Sequence, residues 1–265
     1  YRLQSVERSR EKVADECLDF ILDSGFNVPT TTNEDILENA EKIGPHWVIP
    51  KDYLPWDYYK RDNLDKEEKD TLNAVRSEYD GDYQEATTDS VLEFIDLWEE
   101  SPTNARPIIP LQPDHVEHYR SLPDRLREFG YYCLGGIAKA GPEAQVRALK
   151  QFREEVGYGP QIHALGVGSH PEIINAIRDD PALVDSLDIS TPEQAVKNGS
   201  IPDKTHKQPK TNSFKIARGE NSSTTRASFM EAVYLHLCYC IGPFLDDEYY
   251  AEDENGRIQS GLQNW

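Results

Sequence analysis

Residues 183–199, LVDSLDISTPEQAVKNG, set two carboxylates, Asp185 and Asp188, among the strand formers Val184, Leu187 and Ile189. Carboxylates where a buried strand runs out are costly unless they face a polar cleft. Ser190-Thr191-Pro192-Glu193 then reads as a cap, a proline at the first helical position and an acidic first turn, so a helix begins directly after the strand. Strand, carboxylate, helix brings a side chain into the crevice at the carboxyl ends of a parallel sheet, where a carboxylate can act as nucleophile or acid–base group. A loop-capping role for Asp188 fits the same residues, and Asp185 reads as a structural partner near the strand end.

The same grammar recurs. Asp19-Phe20-Ile21-Leu22 leads into Asp23-Ser24-Gly25-Phe26-Asn27, His46-Trp47-Val48-Ile49-Pro50 into Lys51-Asp52, and Pro107-Ile108-Ile109-Pro110-Leu111 into the amide of Gln112. Tyr131-Tyr132-Cys133-Leu134 runs into Gly135-Gly136-Ile137, where paired glycines let a ligand approach the backbone. Gln161-Ile162-His163-Ala164-Leu165 runs into Gly166-Val167-Gly168, with His163 read as a satisfied interior histidine.

Helices must lie between these strands. Ile36, Leu37, Ala40 and Ile43 share one face and stop at Gly44-Pro45; Val91, Leu92, Ile95 and Trp98 mark a helix over 89–100; Val146, Leu149, Phe152 and Val156 mark one after Pro142; His170-Pro171-Glu172 opens another. Residues 5–20 also read as helical. Residues 53–87 form a charged, aromatic insertion with a helix near 66–77, and residues 225–265 a closing helix and acidic tail. Six strands alternating with helices, without a hairpin signature, predict a parallel α/β sheet. The expected architecture is a TIM-like (β/α)8 barrel over residues 1–265, which leaves open whether its first βα units are short or missing from this chain.

A chain of 265 residues can bury a sizeable core as one domain. Its net charge of -20 opposes nonspecific binding to polyanions and suits a soluble protein, a halophilic one included. Any nucleic acid must meet a local basic patch, for which Lys197, Lys204, Lys207 and Lys210 are the candidates. Four cysteines without framework spacing suggest a reducing compartment. No apolar run approaches the ~20 residues that cross a bilayer, and no signal peptide is visible, so the expected location is cytoplasmic, in the host if virus-encoded. Beginning at Tyr1, the chain leaves room for residues upstream. GxGxxG and GxxxxGK are absent, which gives a nucleotide-cofactor fold little support.

Taken in order, LDSGFN, IPKDYLP, IPLQP, LGGIA, LGVGSHPE and VDSLDISTPEQAVKNG resemble the tRNA-guanine transglycosylase family, TIM barrels that exchange guanine in nucleic acid for a 7-deazaguanine base. The resemblance spans residues 22–199. It implies Asp188 as the nucleophile that becomes attached to the sugar and Asp23 as the proton-transfer acid, with Ser24 beside it. It implies Phe26 and Leu165 on the two faces of the base, Asp52 and Gln112 reading its edge, and Gly136 with Ile137 touching it through backbone. Base exchange at an anomeric carbon suits two carboxylates in unlike environments. A carboxylate at Asp52 suits the N1–H and amine donors of guanine, and the Gln112 amide suits O6 and N7.

Two departures shape the reading: STPEQAVKNG stands where the tRNA enzymes carry an arginine-bearing loop, and their zinc motif is missing. No cofactor is therefore expected, and His236, Cys238 and Cys240 (HxCxC) form only a weak zinc candidate because Cys238 points away from the other two on a helix. The departures resemble the phage- and island-encoded branch that modifies DNA, so DNA is the preferred acceptor and tRNA the alternative. The target nucleotide must be extruded, and helper proteins or a homodimer are compatible partners. A noncatalytic base-binding barrel is the reading of another class.

Overall fold

The computed structural model describes residues 2–6, 20–25, 28–167 and 170–188. The chain divides into two compact units, one of Tyr1–Lys139 with Gln151–Leu165 and one of Ala140–Lys150 with Gly166–Trp265. The fold is α/β, and successive strands from β1 to β4 and from β5 to β7 pair in parallel.

In the first unit β1 (Arg2–Ser5), β2 (Phe20–Asp23), β3 (Trp47–Val48) and β4 (Arg106–Pro107) pair in sequence order. β5 (Ile109–Leu111), β6 (Tyr131–Leu134) and β7 (Gln161–Ala164) do the same. One extended segment links the two sets. At its centre the Ile108 N–H donates to Val48 at 2.8 Å, and at its end Leu111 accepts from the Gly135 N–H at 2.8 Å. Within each set the parallel pairing leaves the carboxyl ends of neighbouring strands on the same edge.

Alternation along the strands separates two cores. Phe20, Leu22, Val48, Ile109, Leu111, Tyr132, Leu134, Ile162 and Ala164 are buried on the helix-packed face. On the other face Ile49, Ile108, Tyr131 and Cys133 form one cluster with Leu3, Ile21, Trp47 and Leu165. A single cluster drawing on β1, β2, β3, β6 and the residue after β7 requires the sheet to curl toward that face.

The helices follow the expected signals in most places. α1 (Asn33–Ile43) has a capping box between Thr32 and Asp35 and ends at Gly44 in the left-handed region, φ 67°. Within the insertion α2 (Lys66–Glu78) supplies Leu72 to a small separate core with Leu54, Tyr59 and Leu64. α3 (Tyr83–Glu100) begins six residues earlier than residue 89, because Asp82 caps it through the Gln84 and Glu85 N–H groups. Thr87 and Thr88 return their hydroxyls to the Tyr83 and Gln84 carbonyls, which lets two β-branched residues sit in its first turns. Its buried face carries Phe94 with Val91 and Ile95, where Leu92 and Trp98 are only half-buried. α4 (His115–Ser121) and α5 (Asp124–Arg127) connect β5 to β6, and α6 (Pro142–Val156) connects β6 to β7.

The strand β1 lies ahead of the expected first strand, in register Arg2↔Phe20 to Ser5↔Asp23, so the segment before residue 20 opens with a strand. Four residues are too short a window for period-2 alternation to stand out. The remaining residues of that expected helix, 7–19, lie outside the described residues.

In the second unit α7 (Pro171–Asp179) buries Ile173, Ile174, Ala176 and Ile177, and Leu183 and Val184 are buried ahead of the short strand β8 (Ser186–Leu187). Among the described residues no helix is long and apolar enough to cross a membrane.

Candidate functional site

Three strand-end residues of the first unit converge. Ser24, directly after β2, is fully buried, and its hydroxyl donates to Asp52 Oδ1 at 3.0 Å. Gln112, directly after β5, is fully buried as well, and its Nε2 donates to Asp52 Oδ2 at 2.7 Å. Asp52 itself is 5 % exposed. Burial raises its pKa above the ordinary carboxylate value, while the hydrogen bonds from Ser24 and Gln112 and the charge of Lys51 work in the opposite direction.

The backbone under Asp52 is fixed by its neighbours. The Lys51 N–H donates to Asn33 Oδ1 at 3.1 Å and the Lys51 ammonium to the Val28 carbonyl at 2.8 Å. Asn33 in turn donates to the Ser90 carbonyl and to Glu93, which ties the first turn of α1 to α3. On the far side Tyr53 N–H donates to the Thr87 hydroxyl at 3.0 Å. Asp52 is therefore held between anchored residues on both sides.

Donors and acceptors of the trio do not balance. A carboxylate offers about four acceptor positions, and Ser24 and Gln112 occupy two of those on Asp52. Gln112 Oε1 is buried and has no hydrogen-bond partner. Gln112 Nε2 carries two hydrogens, of which the bond to Asp52 takes one, and the group of Gln112 that has no partner is its oxygen, an acceptor. A buried acceptor without a partner costs roughly 1–3 kcal/mol, a cost that an N–H donor from a ligand would remove.

Gly135 and Gly136 stand beside this trio. A Cβ at Gly135 would lie 3.3 Å from Gln112 Oε1 and 3.4 Å from its Nε2. Gly136 combines φ +74° with a position where a Cβ would meet Pro113 Cγ at 2.6 Å and Tyr58 at 3.6 Å. Only glycine suits that backbone, and the side-chain-free surface brings main chain close to the Gln112 amide. Ile137 begins the following 3₁₀ turn, Ile137–Lys139, and is buried. Leu165 is half-buried and packs on the inner-face cluster.

Asp23 ends β2 and is half-buried; alternation puts it on the face of Ile21, which belongs to the inner cluster. His163 is buried in β7, and burial lowers its pKa to about 4, in keeping with a neutral interior imidazole.

Two residues that the sequence reading passed over support the site. His118 Nδ1 accepts the Gln112 N–H at 2.9 Å, and His115 Nε2 lies 2.8 Å from the Gly135 carbonyl. Their signal in the sequence is a pair of histidines three apart just after Gln112-Pro113-Asp114.

Within the second unit Asp188 follows β8, and its carboxylate accepts the N–H of Gly166. Burial raises its pKa against that hydrogen bond, so this acid too sits in an environment that disfavours its charge. Asp185 is exposed. Phe26, Lys197, Lys204, Lys207, Lys210, His236, Cys238 and Cys240 lie outside the described residues. Among the described residues no three His, Cys, Asp or Glu side chains gather as a metal site.

Ser24, Asp52 and Gln112 thus form a buried cluster with open acceptor positions at the carboxyl ends of parallel strands, flanked by a glycine pair and suited to a ligand that presents several N–H groups on one edge. Neither the protein-family models nor the curated proteins with which the chain was compared provide a match.

Proposed function

We propose that the protein is a base-exchange glycosyltransferase that replaces guanine in nucleic acid, DNA by preference, with a 7-deazaguanine base. The observation that carries this reading is the buried Ser24–Asp52–Gln112 cluster with its unpartnered Gln112 Oε1. Guanine carries N1–H and an exocyclic amine on one edge, a donor set that this acceptor cluster complements. Adenine presents an unprotonated N1 on the corresponding edge and would face acceptors with an acceptor. The Gln112 Nε2 hydrogen that is not given to Asp52 is the donor for O6 or N7.

In the proposed reaction an Asp188 carboxylate oxygen forms a bond to C1′ while the bond from C1′ to N9 breaks. The departing guanine keeps the electron pair and receives a proton from Asp23. The incoming deazaguanine then gives its N9 proton to the Asp23 carboxylate, bonds to C1′ and displaces Asp188, so the acids return to their starting state. Asp188 must be ionised to attack C1′, a state that burial disfavours and the Gly166 N–H supports. The architecture proposed with this reaction is a (β/α)8 barrel, a fold whose active sites are built from strand-end side chains.

Incubation with labelled guanine or deazaguanine and either DNA or tRNA tests the reading. Label in DNA supports it, label in tRNA alone makes the protein a tRNA enzyme, and label in neither polymer despite base binding leaves a noncatalytic base-binding barrel.

A further inference from the structure

The two histidines of α4 have no part in the exchange chemistry, yet each is buried and each holds one wall of the cluster. His118 Nδ1 accepts the Gln112 N–H, so in the neutral ring the proton sits on Nε2, 3.0 Å from the Thr88 hydroxyl. Thr88 passes its own proton on to the Gln84 carbonyl at 2.9 Å. His115 has the reverse polarity at the site: the Gly135 carbonyl can only accept, so Nε2 is the donor. One helical turn therefore grips the strand-end backbone after β5 with an acceptor and that after β6 with a donor.

We infer that His115 and His118 are positioning residues of the base cradle, fixing through ring nitrogens of opposite polarity the backbones of Gln112 and Gly135 and so the hydrogen-bonding edge the cradle shows to a purine. The inference rests on the base-binding reading above. A side chain at Gly135 would press on the Gln112 amide, so the spacing between these two backbones sets the room in which that amide lies. Burial keeps both imidazoles neutral, with Asp82 and Asp114 the charged groups that oppose it. Protonating His118 would turn a second N–H against that of Gln112 and undo the contact.

The opposite polarities give an isostere test. In His118→Asn the amide oxygen can take the place of Nδ1 and accept the Gln112 N–H, whereas in His118→Gln the amide falls at Nε2 and that acceptor disappears. For His115 the order reverses, because His115→Gln keeps a donor at Nε2 for Gly135 and His115→Asn does not reach. Binding of labelled guanine to the full chain is measured by equilibrium dialysis, beside thermal unfolding of each variant.

Expected is a loss of affinity of about tenfold in His118→Gln and His115→Asn, the consequence of a buried group left without its partner, with His118→Asn and His115→Gln within about threefold of wild type. A merely structural role would follow melting temperature instead of this crossed pattern. Equal affinities within each isostere pair, with wild type binding guanine, overturn the positioning inference and leave the base reading standing. No binding of guanine by wild type overturns both.

Discussion

Gln112 Nε2 lies 2.7 Å from Asp52 Oδ2, and that one contact sets the orientation of the amide, since it takes one of the two N–H groups and leaves the buried amide oxygen open. Removing the carboxylate strands two donors at once, the Gln112 amide and the Ser24 hydroxyl. Asp52→Ala is accordingly expected to abolish discrimination of guanine from adenine in competition binding, at a stability cost of roughly 1–3 kcal/mol in denaturant unfolding. Retained selectivity would take the base-reading role away from Asp52.

The glycine pair separates packing from recognition. Gly136→Ala meets both a positive φ and a 2.6 Å approach to a proline ring, so it should lower stability by at least about 1–2 kcal/mol. Gly135→Ala approaches the Gln112 amide most closely, at 3.3 Å, with the Leu111 carbonyl in ordinary contact at 3.5 Å, and should weaken guanine binding with little change in unfolding midpoint. Denaturation and binding curves on the two variants check the contrast.

His118 and His163 each have a folded pKa lowered to about 4 from 6.5. A base with a depressed folded pKa contributes stability that is fully present above 6.5 and lost as pH falls through about 4, on the order of 3 kcal/mol per imidazole. The raised pKa of Asp52 acts in the other sense, its contribution being present below the ordinary value of 3.8 and lost as pH rises through the folded value. Unfolding free energies at pH 4.5 and 7.5 should therefore differ less in His118→Asn than in wild type. An unchanged difference would show that this ring is not held neutral.

Asp188→Asn should end both base exchange and formation of a covalent sugar adduct while leaving the fold intact. Mass spectrometry of protein trapped with oligonucleotide gives the readout. An adduct in that variant would remove Asp188 from the nucleophile's role.

For the polymer, replacing Lys207 and Lys210 together with glutamate should weaken binding and lower the salt slope by about one unit for each phosphate that the protein no longer neutralises. A titration series from low to high salt is the measurement, and a slope equal to that of wild type would make these lysines bystanders.

The sequence by itself determined which residues end the strands. Periodicity and capping are local properties, so Asp23, Asp52, Gln112, Gly136 and Asp188 could be read as strand-end groups, as could α1 and α2 as helices. β1 escaped because four residues carry too little pattern, and the start of α3 because its first turns hold two threonines that the helix itself satisfies. Only tertiary structure decided that Ser24 and Gln112 share one carboxylate, at sequence separations of 28 and 60 from Asp52. It also decided that the Gln112 amide presents oxygen, and that His115 and His118 brace its surroundings. The physical reason is that a buried side chain takes its polarity from the partners the sheet brings to it, and strand order and register are set by the whole core rather than by nearby residues.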